Sequence, residues 1–119
     1  MMTAKDFVSG YYLHDSIIDE IEESDNGKTI SILIDFAFWM QENYCDSDPE
    51  TGIIKVVFHN VTNFSSPDGI NFEECSILDV VFEDETVTFH MLNDFSDESF
   101  EIRIVADSVT VLREDRLPT

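Results

Sequence analysis

Residues 29–40 carry a large apolar side chain at every second position, and this period constrains the fold more than any other feature of the chain. Side chains of a strand alternate between the two faces of a sheet, whereas those of a helix repeat about every 3.6 residues. The alternating residues are Ile30, Ile32, Ile34, Phe36, Phe38 and Met40. The pattern predicts a strand with one apolar face, and we expect Ile32, Ile34 and Phe36 to lie in the core.

Shorter apolar segments, several of which alternate in the same way, occur elsewhere along the chain. They predict further strands at residues 16–23, 53–58, 75–82, 86–92, 100–106 and 109–112. The strand at 53–58 is apolar on both faces apart from Lys55, which predicts a central position in a sheet. In the strand at 75–82, the period of two places Leu78, Val80 and Phe82 on one side.

Turn and capping residues complete the prediction of the fold. Asn26-Gly27, between the first two strands, is a preferred pair for a type I′ turn because both central residues need a positive φ. Thr3 can cap a short helix that extends to Tyr12. The sequence therefore predicts a mainly β fold, an antiparallel sandwich or partly closed barrel of about seven strands with a short N-terminal helix. We expect residues 1–119 to form a single domain.

The charge of the chain limits which partners it can have. It contains 26 acidic and 6 basic residues, a formal net charge of −20, while 43% of its residues are hydrophobic. That apolar content is enough for a core, so the charge does not indicate disorder. The acidic residues divide almost evenly between the two halves of the chain, 12 and 14, which predicts a negative folded surface. Such a surface repels nucleic acids and anionic membranes and attracts a cationic protein.

Cysteine content and hydropathy predict the compartment. Cys45 and Cys75 are far apart in the sequence, and the chain contains no Cys-x-x-Cys motif. The N-terminus leads into no continuous apolar run, and no stretch approaches the roughly 18 apolar residues of a membrane-spanning helix. We therefore expect a cytoplasmic protein with reduced thiols, and the sequence leaves its oligomeric state open.

No group of residues in the sequence forms a catalytic motif. His14, Asp15 and Ser16 are adjacent and suggest a triad. In an extended segment, however, the first and third side chains would point to one side and the second to the other, so the three could not act together. We expect Asp15 or Ser16 to bond nearby backbone where the chain enters the first strand, and we predict no catalytic residue.

Metal-binding patterns are also incomplete. Asp46, Asp48 and Glu50 resemble the start of a calcium loop, but its sixth position is Thr51 and its twelfth is Val57, where the loop needs Gly and Glu. The three histidines, His14, His59 and His90, fall on or beside different predicted strands without zinc-ligand spacing. We expect solvent-facing histidines, no metal site and no cofactor.

Acidic segments next to aromatic residues are the candidate partner-binding regions, because interfaces use aromatic anchors beside charged groups. We predict three regions: a strand, a loop after the second strand, and a loop before residue 100. Tyr44 and Phe95 are the candidate anchors of the two loops. The candidate residues are Glu20, Glu22, Glu23, Tyr44, Asp46, Asp48, Glu50, Asp94, Phe95, Asp97 and Glu98.

Two short motifs carry a family resemblance. The first is Tyr12-Leu13-His14-Asp15-Ser16 before an isoleucine-rich hairpin, and the second is Phe58-His59-Asn60-Val61-Thr62-Asn63-Phe64. The chain resembles a group of small bacterial proteins of unknown function that share a Leu-His-Asp-Ser segment before the first β-hairpin. Some similar proteins are immunity proteins of polymorphic toxin systems. The resemblance implies a bacterial cytoplasmic β-domain and supplies no catalytic residues.

The function predicted from these observations is an acidic protein-binding domain, in particular an immunity protein that neutralises a cationic toxin. One alternative is a small-ligand-binding or enzymatic β-sandwich or barrel. Another is an accessory domain whose charge serves solubility alone. A deep pocket in which histidine and carboxylates converge would favour the ligand-binding or enzymatic alternative. A flat acidic face with exposed aromatic residues would favour protein binding.

Overall fold

A computed structural model describes residues 2–37, 41 and 51–113. Within these residues the chain forms one α-helix and eight strands, with short 3₁₀ turns between some of them. The elements are α1 (Ala4–Gly10), β1 (Ile17–Ser24), β2 (Thr29–Ala37), β3 (Thr51–His59), β4 (Asn63–Ser65), β5 (Cys75–Glu83), β6 (Thr86–Asn93), β7 (Ser99–Val105) and β8 (Ser108–Arg113). None of the helices in this part of the chain is both long and apolar enough to cross a membrane.

The strands form two antiparallel sheets of four strands each. Sheet 1 has the order β1-β2-β3-β8, and sheet 2 has the order β4-β7-β6-β5. The predicted fold class is confirmed, as a sandwich rather than a barrel. The central position predicted for the third strand is also confirmed, because β3 pairs with β2 on one side and β8 on the other. The sequence pattern missed β4, which spans only Asn63–Ser65.

The core lies between the two sheets and is closed by the helix. Ile32, Ile34 and Phe36 are buried in β2, as the alternation predicted. Phe58 of β3 joins three layers: its ring centroid lies 5.8 Å from that of Phe7 in α1 and 6.3 Å from that of Phe89 in β6. Both contacts are edge-to-face, an arrangement that aromatic pairs favour.

The predicted helix and hairpin both form, and α1 ends at Gly10 rather than at the predicted Tyr12. Thr3 caps α1, and its hydroxyl oxygen accepts a hydrogen bond from the backbone N–H of Asp6 at 3.0 Å. In the β1–β2 connection, Asn26 and Gly27 have φ values of 56° and 84°, and Lys28 N donates to Asp25 O at 3.1 Å. These are the positive φ values and closing hydrogen bond of a type I′ turn.

The prediction that Leu78 shares a face with Val80 and Phe82 is wrong. The pairing of β5 with β6 shifts register between Ile77 and Asp79, and Leu78 lies in this bulge. A bulge inserts one unpaired residue and turns the side chains that follow it. Leu78 is therefore exposed, while Val80 and Phe82 pack against the core.

The approach to the first strand also differs from the extended segment expected around His14, Asp15 and Ser16. Asp15 has a φ of 66°, and Ser16 N donates to Leu13 O at 3.0 Å, so the chain turns sharply here. Ser16 is buried, which removes its hydroxyl from any solvent-accessible triad. Backbone bonds hold the turn against β5, because Asp15 N donates to Ile77 O and Ile77 N donates to Ser16 O, each at 2.9 Å.

Candidate binding surface

The most exposed large apolar side chain of the described residues is Phe95, which is 81% exposed. It lies in residues 94–98, the connection between β6 and β7, which we call the tip loop. Aromatic side chains are enriched in the buried centres of protein interfaces, so this ring is the first candidate for a contact with another molecule.

Asn93 fixes the conformation of the tip loop. Its side-chain Oδ1 accepts hydrogen bonds from Phe95 N at 2.9 Å and from Ser96 N at 3.0 Å. Its backbone N–H donates to Glu98 O at 2.8 Å, and its carbonyl accepts from Asp97 N at 2.9 Å. An asparagine that bonds the backbone two and three residues ahead is a common way to order a turn. The loop therefore presents Phe95 from a defined backbone.

The tip loop is also tied to the neighbouring edge of sheet 2. Asp94 N donates to Glu74 O at 2.8 Å, and the hydroxyl of Ser76 donates to the Asp94 carboxylate at 3.1 Å. Asp94, Asp97 and Glu98 are all exposed. The result is an ordered loop that holds one aromatic ring among three carboxylates.

A row of charged side chains crosses the outer face of sheet 2 below the tip loop. The strand register places Asp79 of β5, His90 of β6 and Glu101 of β7 side by side. The Nε2 atom of His90 lies 3.9 Å from the Asp79 carboxylate, and its Nδ1 atom lies 3.4 Å from the Glu101 carboxylate. Glu101 also accepts a hydrogen bond from the Arg103 guanidinium at 2.6 Å. The imidazole thus has a carboxylate at each end.

A surface depression of about 440 Å³ lies beside this row. The residues that line it are Leu78, His90, Met91, Ser99, Phe100 and Glu101, and of its apolar residues Leu78 is exposed while Met91 is buried in the core. Ser99 is the first residue of β7 and follows the tip loop directly in the chain. The depression and the loop therefore lie at the same end of the β6–β7 hairpin.

His14 supports the bulge that forms one wall of the depression. Its Nδ1 atom lies 2.6 Å from the carbonyl oxygen of Leu78, and because a carbonyl only accepts, Nδ1 carries the proton. Its Nε2 atom lies 3.4 Å from the Asp15 carboxylate. The ring of Tyr12, which is 52% exposed, stacks on the imidazole with 5.9 Å between centroids. These contacts hold the bulge in position.

The three histidines do not form one site. His59 lies on the outer face of sheet 1, where Nε2 is hydrogen-bonded to Thr110 Oγ1 at 2.8 Å. His90 lies on the outer face of sheet 2, and His14 lies beside that sheet. Across residues 2–37, 41 and 51–113, no group of three or more His, Cys, Asp or Glu side chains is arranged to hold a metal ion.

Cys75 is buried at the start of β5. Burial raises the pKa of its thiol, and the nearby carboxylates of Asp94 and Glu74 raise it further. A raised pKa lowers the thiolate fraction at neutral pH and with it the reactivity of the sulfur. We therefore assign Cys75 a packing role. Cys45 lies outside the described residues.

Two of the three predicted acidic regions lie on elements that contact the same 3₁₀ turn. Glu20, Glu22 and Glu23 are exposed on β1, which packs against the 3₁₀ turn Phe72–Glu74. The carbonyl of Glu74 in that turn accepts the hydrogen bond from Asp94 N. The acidic strand and the tip loop therefore border the same turn. The third region, Tyr44, Asp46, Asp48 and Glu50, lies outside the described residues.

Neither Leu78 nor the Asp79–His90–Glu101 row can be recognised as part of a site from the sequence pattern. The period of two predicts one side of the strand for Leu78, Val80 and Phe82, because a bulge has no marker in such a pattern. The row depends on the register of three strands, which only the paired structure provides. His90 was expected to face solvent, and it does lie on the outer face of its strand.

Comparisons of the chain with protein-family models, with curated proteins and with solved structures give no match.

Proposed function

We propose that this protein is an acidic binding domain that recognises a cationic protein, and that the tip loop is the centre of the contact. The observation that carries this proposal is Phe95, which is 81% exposed on a backbone fixed by Asn93. Binding interfaces obtain most of their energy from a few such anchors, often aromatic, surrounded by polar groups that exclude water. An ordered loop also reduces the entropy that is lost when the partner binds.

The charge of the protein supports the choice of a cationic partner. The net charge is −20, and Asp94, Asp97 and Glu98 surround the proposed anchor. The exposed carboxylates of Glu20, Glu22 and Glu23 extend the negative surface along β1. Surfaces of opposite charge attract each other before contact, which raises the association rate and makes that rate sensitive to salt.

The particular role that we propose is that of an immunity protein, in which the partner is a toxin with a basic surface. The Leu13-His14-Asp15-Ser16 segment resembles small bacterial proteins of unknown function, and the similarity of some such proteins to immunity proteins supports the role. An inhibitor of a basic enzyme needs an acidic surface, an anchor and no chemistry of its own. The tip loop and the charge satisfy the first two requirements.

A capture experiment with matched variants tests the proposal. The wild type, Phe95→Ala and Leu112→Ala are immobilised, and the proteins retained from a lysate of the source cells are quantified by mass spectrometry. Leu112 is the matched control because it is 50% exposed on the outer face of sheet 1, away from the tip loop. We expect a basic protein that the wild type and Leu112→Ala retain and Phe95→Ala loses. Equal retention by all three would contradict the proposal.

The immunity role has its own test. The captured protein is expressed alone and together with the wild type or Phe95→Ala, and the growth of the cells is followed. We expect growth arrest that the wild type relieves and Phe95→Ala does not. A captured protein that is harmless when expressed alone would refute the toxin assignment and leave the binding function in place.

A further inference from the structure

The depression below the tip loop has the two kinds of wall that a long basic side chain requires. We propose that it receives an arginine side chain of the cationic partner. This inference rests on the proposed function and gives the surface next to Phe95 a role in it, the binding of one arginine of the partner.

The apolar wall matches the stem of an arginine. Among the apolar residues that line the depression, Leu78 has an exposed side chain, because the bulge in β5 turns it away from the core. Arginine places its three methylene groups along apolar surface while its charged end stays near water. A volume of about 440 Å³ is sufficient for one such side chain.

The polar wall matches the guanidinium. The imidazole of His90 is a flat surface with the Glu101 and Asp79 carboxylates at its two ends, 3.4 Å and 3.9 Å from the ring nitrogens. A planar guanidinium stacked on this ring can donate to a carboxylate on either side, and carboxylates bind guanidinium groups well for this reason. Glu101 already accepts such a bond from Arg103 at 2.6 Å. Asp79 is 60% exposed and has no partner closer than His90 among the described residues.

The location of the depression links it to the proposed anchor. The tip loop ends at Glu98, and the next residue, Ser99, lines the depression. Asp94 is bonded to Ser76 of β5, two residues before Leu78, so the loop also borders the depression on the β5 side. A partner segment that covers Phe95 can therefore place a neighbouring arginine in the depression.

The test is a titration of the ¹⁵N-labelled protein with N-acetyl-arginine-amide, followed by nuclear magnetic resonance at constant ionic strength. We expect the amide signals of Leu78, His90, Ser99 and Glu101 to shift more than those elsewhere. N-acetyl-citrulline-amide has nearly the same shape without the charge, and we expect it to shift these signals much less. Equal shifts with citrulline, or shifts spread evenly over the exposed carboxylates of both sheets, would overturn the inference.

Two variants that each lose one negative charge show where the arginine probe binds. Asp79→Asn removes the carboxylate at one end of the row, and we expect it to weaken arginine binding about threefold, the usual scale for an exposed charge pair. Asp107→Asn is the control because Asp107 is an exposed residue in the β7–β8 turn, at the far end of β7 from the tip loop. An equal loss in both variants would show a general effect of charge and would overturn the site. N-acetyl-lysine-amide binding as well as the arginine probe would overturn the preference for a guanidinium.

The titration tests the arginine site and the capture experiment tests the proposed function, so each proposal can be refuted without the other. If Phe95→Ala loses the partner but the arginine probe leaves the depression unchanged, the proposed function stands and the arginine site is wrong. If the probe binds in the depression but Phe95→Ala retains the partner, the depression binds guanidinium groups and the tip loop is not the centre of the contact.

Discussion

Truncation of Phe58 tests the packing that holds the two sheets and the helix together. The side chain is fully buried, and its ring makes edge-to-face contacts with Phe7 of α1 and Phe89 of β6. A buried Phe→Ala change costs about 3–5 kcal/mol through lost transfer energy and the cavity that remains. The loss of two aromatic pairs, each worth about 0.5–1.5 kcal/mol, places this site in the upper part of that range. We therefore expect Phe58→Ala to lower the free energy of unfolding by about 4–5 kcal/mol, near the top of the range.

Urea unfolding followed by circular dichroism measures this loss, provided that the slope of the free energy against urea is the same in wild type and variant. A domain of this size has a total stability of about 5–15 kcal/mol, so Phe58→Ala can fall below the limit of folding. Phe58→Leu keeps most of the apolar volume, and we expect it to cost about 1–2 kcal/mol. A loss below about 1 kcal/mol for the Ala variant would show that Phe58 does not join the two sheets.

Three further predictions concern a turn, the charge and the buried thiol. Asp84 and Glu85 form the two-residue β5–β6 turn, with φ values of 50° and 63°. Glycine adopts a positive φ without strain, so Glu85→Gly should stabilise the fold by about 1 kcal/mol in urea unfolding. Glu85→Gln removes only the charge and should not stabilise it. Neutral salt should raise the melting temperature at pH 7, because the net charge is −20 and salt screens the repulsion between the carboxylates, with a Debye length of about 10 Å at 0.1 M. A lower melting temperature in salt would mean that native ion pairs outweigh this repulsion. The pKa of Cys75 is raised in the folded protein, so the unfolded thiol ionises first as pH rises. The wild type should therefore lose more stability at alkaline pH than Cys75→Ala does, and equal losses in the two proteins would contradict this.

The sequence predicted the parts of the fold that depend on local pattern. The alternation around Ile34 placed one face of β2 in the core, and Asn26-Gly27 located the first hairpin turn. Thr3 located the start of α1. Each of these features is decided by residues that are close in the chain, which is why a single sequence is sufficient to predict them.

The parts that could not be predicted depend on contacts between distant segments. The bulge at Leu78 is held by His14 and Asp15, which bond the carbonyls of Leu78 and Ile77 from more than sixty positions away. The Asp79–His90–Glu101 row depends on the register of three strands. The exposed Phe95 is an intermediate case: the polar residues around it predicted a loop, but the bonds of Asn93 that order this loop are visible only in the structure.

The kinetics of binding to the captured partner test the central claim most directly. The claim is that Phe95 anchors the complex while the carboxylates of the tip loop accelerate its formation. We expect Phe95→Ala to weaken binding about 30-fold or more, almost entirely through faster dissociation, as for an interface hot spot. The Asp94→Asn, Asp97→Asn, Glu98→Gln triple variant should instead slow association and reduce its dependence on salt. Unchanged rates in both proteins, with Leu112→Ala as the reference, would contradict the assignment of the tip loop as the binding surface.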